Sequence, residues 1–431
     1  MNTTLPEDVF CAITNQIPKT VRLSLFISLA RAVRKVTERT LLFAQAQGSP
    51  KFAAMLYSFY SGVLDTLDMV VTVRTFSNGA AKKTGLYFAS RFQRLTMPTN
   101  RQIHIAELPK GKLGVDHFKL VEASMPKTAA GQVLLRIRYL LIDAAMRAWM
   151  LGPTYRAALK AGDVMSSAAL AEVVESQSPE FRPGDIVYTD DAGCQEFVAL
   201  DASRLRKLDN IEPLSHLGNI YGTAGLTAYF GLLKIGSPQA GETVVVSAAA
   251  GAVGIFVGQI AKLKGCRVIG IAGGQAKCEL LTKDFGFDAA VDYKAGNVYQ
   301  ALLAATQGGI DVYFDNVGGE VFEACLFNMK PHGRIVACGV VSAYDADPTK
   351  GMQTVRGVPA WFISRRLSMR GFIVSDFYAE REQAIAELKN WVRSGQIKVR
   401  DDIVEGLQNF PTALIGLLAG ENIGKRMVKV S

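Results

Sequence analysis

The stretch Thr243-Val-Val-Val-Ser-Ala-Ala-Ala-Gly-Ala-Val-Gly-Ile-Phe-Val-Gly-Gln-Ile-Ala-Lys-Leu-Lys264 decides the fold. It opens on a short, β-branched, wholly apolar run, as expected of a parallel strand covered on both faces. A small-residue turn, 248–254, follows, and the apolar spacing then predicts a helix over Val253–Lys264. A strand, a glycine turn and a helix in that order form the setting in which a helix N-terminus presents backbone N–H groups to a phosphate. Gly251 lets the backbone approach a pyrophosphate, and Gly254 lets the helix pack closely on the strand. We therefore expect Ala250, Gly251, Val253 and Gly254 to cradle a dinucleotide.

Working outward, a second strand is expected over Arg267–Ala272, and its end identifies the nucleotide. Chains that select the unphosphorylated cofactor place an acid there to accept from the ribose 2′-hydroxyl. Here the sequence reads Ala272-Gly-Gly-Gln-Ala-Lys277, with no carboxylate and a lysine close by. Gly273 and Lys277 thus suit a 2′-phosphate, and NADPH is the expected cofactor. Further buried strands are expected at Ala289–Asp292, Asp311–Phe314, Arg334–Cys338 and Met369–Val374. Strands alternating with helices specify a doubly wound parallel sheet of the α/β class, the Rossmann arrangement. Ligands of such sheets sit at the carboxyl ends of the strands. Tyr293, Asn316, Cys338, Tyr344, Phe372 and Val374 all fall at those ends, and together outline one cleft.

Upstream, from about 103 to 222, the rhythm changes to short strands broken by turns. Gly131–Arg138 alternates apolar and polar residues, Arg182–Tyr188 runs from a Pro-Gly turn into a strand, and Gln195–Leu200 is a third. A small twisted β-barrel or sandwich is the expectation. Residues 1–96 read differently again, as a mostly helical or disordered extension. Leu23, Phe26, Ile27, Ala30, Val33 and Leu41 recur at helical spacing among Arg22, Arg31, Arg34, Lys35 and Arg39, and a second apolar helix is expected from about Phe52 to Val73. Three readings stand side by side: a solvated surface helix, a basic amphipathic helix meeting a membrane surface or a partner, and an upstream extension of a protein that starts at Met97.

Of the formal net charge of +9, residues 1–96 carry +7, so the body is nearly neutral and a nucleic-acid partner is not expected. The six cysteines form no CxxC pair, and a disulfide framework is not indicated. Free thiols fit a reducing cytoplasm. No run of eighteen apolar residues suggests a membrane-spanning helix. Metal-assisted alcohol oxidation needs Cys, His and acidic ligands that converge, and His104, His117, His216 and His332 show no such spacing, so no metal is expected. Hydride transfer to an electrophilic carbon remains, and a conjugated enone meets its requirements. Hydride would reach the β-carbon, donors would stabilise the enolate oxygen, and a tyrosine or water would protonate the α-carbon. Tyr155, Tyr221 and Tyr344 are candidates by position, with Tyr155 and Tyr344 taken as the catalytic pair.

With these residues on the page, the chain from about Arg101 to Ser431 resembles the zinc-independent medium-chain dehydrogenase/reductases, specifically the prostaglandin/leukotriene reductase and curcumin reductase group. The likeness is carried by Gly225–Leu233, Val244–Lys264, Asp315-Asn-Val-Gly-Gly319 and Gly420-Glu-Asn-Ile-Gly-Lys425. It implies a GroES-like β domain at 97–222, a Rossmann domain at 223–395 and a return to the first domain at 396–431. It also implies cofactor contacts at Gly251, Val253, Lys277, Tyr293, Asn316, Cys338, Tyr344, Phe372, Val374 and Asn422, and a homodimer. The implied activity is NADPH-dependent reduction of a small-molecule enone or alkenal. A quinone reductase on the same fold and an NADPH-binding regulatory or structural protein with weakened catalysis are the alternatives.

The departures from the group fall on the substrate side. Relatives read Asp-Pro-Tyr-Met-Arg where this chain has Asp143-Ala-Ala-Met-Arg147. Ser364 stands where some relatives carry a tyrosine, Cys194 where a tryptophan is usual, and the glycine-rich strand near Ser166–Leu170 is altered.

Overall fold

Residues 70–78, 81–89, 99–154, 156–345 and 357–431 are described by a computed structural model of the chain. The chain divides into two compact units, Met1–Thr96 and Met97–Ser431. In chain order the strands are β1 (Val70–Asn78), β2 (Ala81–Ala89), β3 (Thr99–Ile105), β4 (Phe118–Ser124), β5 (Gln132–Leu141), β6 (Ala168–Ser176), β7 (Ile186–Thr189), β8 (Phe197–Asp201) and β9 (Arg206–Leu208). They continue as β10 (Thr243–Val246), β11 (Arg267–Ala272), β12 (Ala289–Asp292), β13 (Ile310–Asp315), β14 (Met329–Ala337), β15 (Ser368–Gly371), β16 (Asp401–Glu405) and β17 (Lys425–Lys429).

In the first unit β1 and β2 pair antiparallel, with Val70 opposite Ala89 and Asn78 opposite Ala81. Residues 70–73, expected to end a helix, are therefore strand. Val-Val-Thr-Val at 70–73 is β-branched throughout, which favours the pleated conformation over the helix. Residues 52–69, and the basic helical pattern before them, lie outside the described residues.

In the second unit, β10 to β15 form a six-stranded sheet in the order β12-β11-β10-β13-β14-β15, with every neighbouring pair parallel. This order reverses direction between β10 and β13, and the crevice at such a switch point is where a dinucleotide lies. Val244, Val245 and Val246 are fully buried, as the apolar run requires when helices cover both faces. Each such valine contributes roughly 1.5–3 kcal/mol of burial. The helix Gly254–Leu263 covers one face, with eight of its ten residues buried. β15 departs from the expectation of a buried strand at 369–374. It is the edge of the sheet, and all four of its residues are exposed.

The other large sheet has seven strands, in the order β16-β17-β5-β6-β7-β9 with β8 also on β5. β17 pairs antiparallel with β5, Val428 opposite Leu140, so the last residues of the chain join the sheet that β5 begins, while β3 and β4 pair with each other in a two-stranded sheet of their own. A core separate from that of the parallel sheet lies beneath it, built on Ile103, Leu135, Ile137, Met146, Phe410 and Val428. Together the two sheets make the GroES-like and Rossmann architecture. Among the described residues no helix is long and apolar enough to cross a membrane.

Candidate active site

Six strand ends converge on one edge of the parallel sheet. At β10 the chain turns through Ser247–Val253 before the helix starts at Gly254. A Cβ on Gly254 would lie 2.4 Å from the Ala248 carbonyl oxygen and 2.6 Å from the Ala249 Cα, so no side chain fits there. On Gly251 a Cβ would meet only the Ala248 oxygen, at 3.1 Å. The first glycine therefore leaves open space over the turn, and the second brings helix and strand together. These are the two roles a pyrophosphate site needs. Ala248 itself is held at φ +46, a strained conformation for a residue with a Cβ.

The end of β13 braces this turn. Asp315 is buried, and its Oδ1 accepts from Tyr313 Oη at 2.6 Å, Ser247 Oγ at 3.1 Å, and the Val317 and Gly318 N–H groups at 3.0 Å each. Asn316 donates through Nδ2 to the Ser247 carbonyl at 2.7 Å, and its own N–H donates to Ser247 Oγ at 2.8 Å. Its amide thus locks the switch point and holds its position beside the turn. The segment after β14 lies against the same residues: the Cys338 and Gly339 N–H groups donate to the Asp315 carbonyl, and Val341 N–H to that of Asn316. Burial, with Asp315 nearby, pushes the Cys338 thiol up to about 12, so it is no nucleophile at neutral pH. Tyr344 closes this segment, at the end of the short helix Val341–Tyr344. Phe372 faces Phe377 edge-on at 6.2 Å and packs, with Val374, against the core of the sheet.

The end of β11 carries the cations. Lys277 donates through Nζ to the carbonyls of Gly420 at 2.6 Å and Asn422 at 2.7 Å. Asn422 donates in turn to the Gly424 carbonyl at 2.9 Å, and Gly424 N–H to that of Ala250 at 2.8 Å. Gly273, Gly251, Lys277 and Asn422 are therefore brought to one corner. Tyr293 covers it: a Cβ on Gly273 would meet Tyr293 Cε1 at 2.8 Å and Lys294 Cε at 2.9 Å. Burial, then Lys294 and Arg426, pull the pKa of Lys277 below the ordinary lysine value. Lys294 was not among the expected residues, although a lysine just after Tyr293, at the next strand end, is the same signal that singled out Lys277. Asp402 and Glu421 lie near Lys277, and Asp292, at the end of β12, accepts from the N–H groups of Gly274 at 2.8 Å and Lys294 at 2.9 Å. It is engaged in turn geometry, so the residues present fit a 2′-phosphate.

Other expected residues are not brought in. Tyr155 lies outside the described residues. Tyr221 is buried against His216, ring centroids 6.1 Å apart, in the core rather than at a strand end. Ser364 is exposed, its hydroxyl on the Trp361 carbonyl. Of the histidines, His104 is bonded to Gly162 and Gln102, and His117 to the backbone of Gly114. Among the described residues, Glu107, Asp116 and His117 come together with ligand atoms within 4.8 Å, both carboxylates exposed. Two residues at the cleft were quoted in motifs without a role. Arg147, 1% exposed, donates through Nε to Asp345, at 3.1 Å, and through Nη2 to the Gly111 carbonyl. Lys425, equally buried, pairs with Asp143.

Known proteins share this sequence pattern and fold. Residues 252–390 match the family described as zinc-binding dehydrogenase, and residues 101–208 the N-terminal domain of oxidoreductase. The NADPH-dependent curcumin reductase of Escherichia coli is 40% identical over 336 residues, which are 77% of this chain and 97% of that protein. The NADP(+)-dependent 2-alkenal reductase of Nicotiana tabacum is 39% identical over 307 residues, 70% of this chain and 88% of that one. The crystal structure of CurA from Vibrio vulnificus in complex with NADPH superposes with a TM-score of 0.73, at 38% identity, over 77% of this chain and 99% of that one.

Proposed function

The chain belongs to the zinc-independent medium-chain dehydrogenase/reductases, in the group of NADP-dependent double-bond reductases, and we propose that it uses NADPH to reduce the carbon–carbon double bond of α,β-unsaturated ketones or aldehydes. The observation that carries the cofactor is the acid-free end of β11, where Lys277 and Lys294 share a corner with the glycine turn. The substrate class is supported by the relatives that act on curcumin and 2-alkenals.

When bound, NADPH supplies the hydride. The chain's own residues do the rest. Ala250, Gly251, Val253 and Gly254 offer an open turn at a helix N-terminus, which suits the pyrophosphate. Lys277, with Lys294 beside it, meets the 2′-phosphate, and Gly273, Tyr293 and Asn422 wall that corner. Asn316, Cys338, Phe372 and Val374 would hold the nicotinamide end, Asn316 set by its bonds to Ser247, Cys338 by its N–H on the Asp315 carbonyl, and Phe372 and Val374 by their packing on the core. Reduction at the β-carbon would leave charge on the substrate oxygen, which calls for fixed hydrogen-bond donors in the cleft. Tyr344, at the end of the segment beside Asn316, or Tyr155 delivers the proton to the α-carbon.

We read 97–222 with 396–431 as the substrate-side domain, 223–395 as the cofactor domain, and 1–96 as an N-terminal extension without an assigned role. The exposed edge strand β15, with Ile363 76% exposed on the neighbouring helix, supports a homodimer formed by pairing of two such edges. A cytoplasmic location is supported by the free thiols of Cys194, Cys266, Cys278, Cys325 and Cys338. NADPH consumption with a panel of enones, alkenals and quinones tests the activity. Saturated ketone or aldehyde as product is the expected result, and binding of NADPH with turnover of none of them overturns it.

A further inference from the structure

The segment Gly420–Lys425 touches both halves of the site. At one end the Gly420 and Asn422 carbonyls accept from Lys277 Nζ at 2.6 and 2.7 Å. In the middle Gly424 bridges Gly251, its N–H on the Ala250 carbonyl, so the segment runs along the glycine turn. At the other end Lys425 is 1% exposed and donates to the Ile142 carbonyl at 3.0 Å besides pairing with Asp143. The next residue accepts in return, the Arg426 carbonyl from Ile142 N–H at 3.2 Å. The loop reached in this way, with the start of the helix Ala145–Trp149, spans Ile142–Arg147 and is anchored a second time through Arg147 and Asp345, and Asp345 follows directly on Tyr344.

A buried ammonium loses much of its hydration, and a buried ion pair often adds little net stability over an apolar pair of the same shape. What such a pair does fix is position. Lys425 can satisfy its charge in only one placement of Asp143 and Ile142, so the loop is held in register with the glycine turn.

From this geometry we infer that Gly420–Lys425 is a strap through which occupation of the 2′-phosphate corner at Lys277 orders the substrate-side loop Ile142–Arg147, with Lys425 and Asp143 as positioning residues. The inference rests on the NADPH reading above. Lys277 Nζ carries three N–H donors, and with two on the Gly420 and Asn422 carbonyls the third can meet a phosphate without releasing either. A charge-assisted bond from that third N–H fixes the ammonium in place, and with it both carbonyls, so the strap tightens at that end. Gly424 and Lys425 pass the order on, because one is fixed to the turn and the other to the loop. Coupling of this sort is reciprocal, so a substrate that orders the loop also tightens NADPH.

Amide hydrogen exchange on the full chain tests it, with saturating NADPH and separately with NADH. Slowed exchange at 248–257 reports cofactor on the turn, and slowed exchange at 142–147 reports the strap. NADPH slows both, the loop by about tenfold, and NADH slows the turn with a much smaller effect on the loop. In Lys425→Met the slowing at 248–257 stays and that at 142–147 is lost, while Lys425→Arg keeps part of it. Should Lys425→Met fail to fold, Asp143→Ala, cut at the partly exposed end of the pair, gives the same comparison. Equal slowing of the loop by both cofactors, or slowing that survives loss of the pair, overturns the strap. No slowing at 248–257 with NADPH is a different result, which removes the cofactor reading itself.

Discussion

The two halves of the cleft are built by different means. On the cofactor side the geometry is made by close backbone packing and one buried carboxylate: a glycine where a Cβ would sit 2.4 Å from a carbonyl, and Asp315, whose Oδ1 gathers four donors at a switch point. On the substrate side it is made by side-chain pairs that join elements far apart in the chain, Arg147 to Asp345 and Lys425 to Asp143. Backbone geometry restricts the residue at each position to one or two types. A pocket wall accepts many.

The largest effect that would sharpen this contrast is expected at Gly254. Gly254→Val forces helix and strand apart and costs about 3 kcal/mol or more, since overpacking of a close contact has no cheap relief. A thermal melt and an NADPH titration should fall together. An unchanged melt would mean that the turn can move, against the account of the cofactor side. Next is Tyr344→Phe. If Tyr344 delivers the proton, kcat drops by roughly 10²–10⁴ with the KM for NADPH unchanged. An unchanged kcat would assign the proton to Tyr155 or water.

Lys277→Ala comes third. Loss of a charged hydrogen bond to the phosphate costs about 1.5–3 kcal/mol, so the KM for NADPH rises by one to two orders while that for NADH moves little. Parallel loss for both cofactors would show that Lys277 serves only to hold Gly420 and Asn422. The smallest effect concerns pH. Folding raises the Cys266 thiol to about 11 and the Cys338 thiol to about 12, from an ordinary value near 9. Groups raised in the fold contribute stability that is whole below the unfolded pKa and is lost as pH rises above it. Stability should therefore be level up to about pH 9 and decline from there toward 12. Alkylation of Cys338 in the folded chain at pH 8 would contradict this.

The same contrast sets how much was legible in the sequence. β11 and β12 fall at their expected residues, and the helix begins within one residue of its expected start, because buried parallel strands and a glycine turn leave marks that no other structure shares. Asn316 follows β13 directly, and Lys277 lies in the first turn of the helix after β11. Expecting 369–374 to be buried missed the edge position of β15, since an apolar run reads alike at the centre and at the rim of a sheet. Arg147, Asp345, Asp143 and Lys425 drew no role, because their meaning lies in partners some 200 to 280 positions apart, and nothing local marks such a pair. Lys294 was legible and overlooked.

The account turns on hydride delivery to a conjugated double bond. Incubation of the full chain with NADPH and an α,β-unsaturated ketone, followed by identification of the product, tests this most directly. The prediction is stoichiometric saturated ketone, with NADPH preferred to NADH by at least about tenfold, as expected for one charged hydrogen bond. An allylic alcohol as product, or bound NADPH that is never consumed, would contradict it.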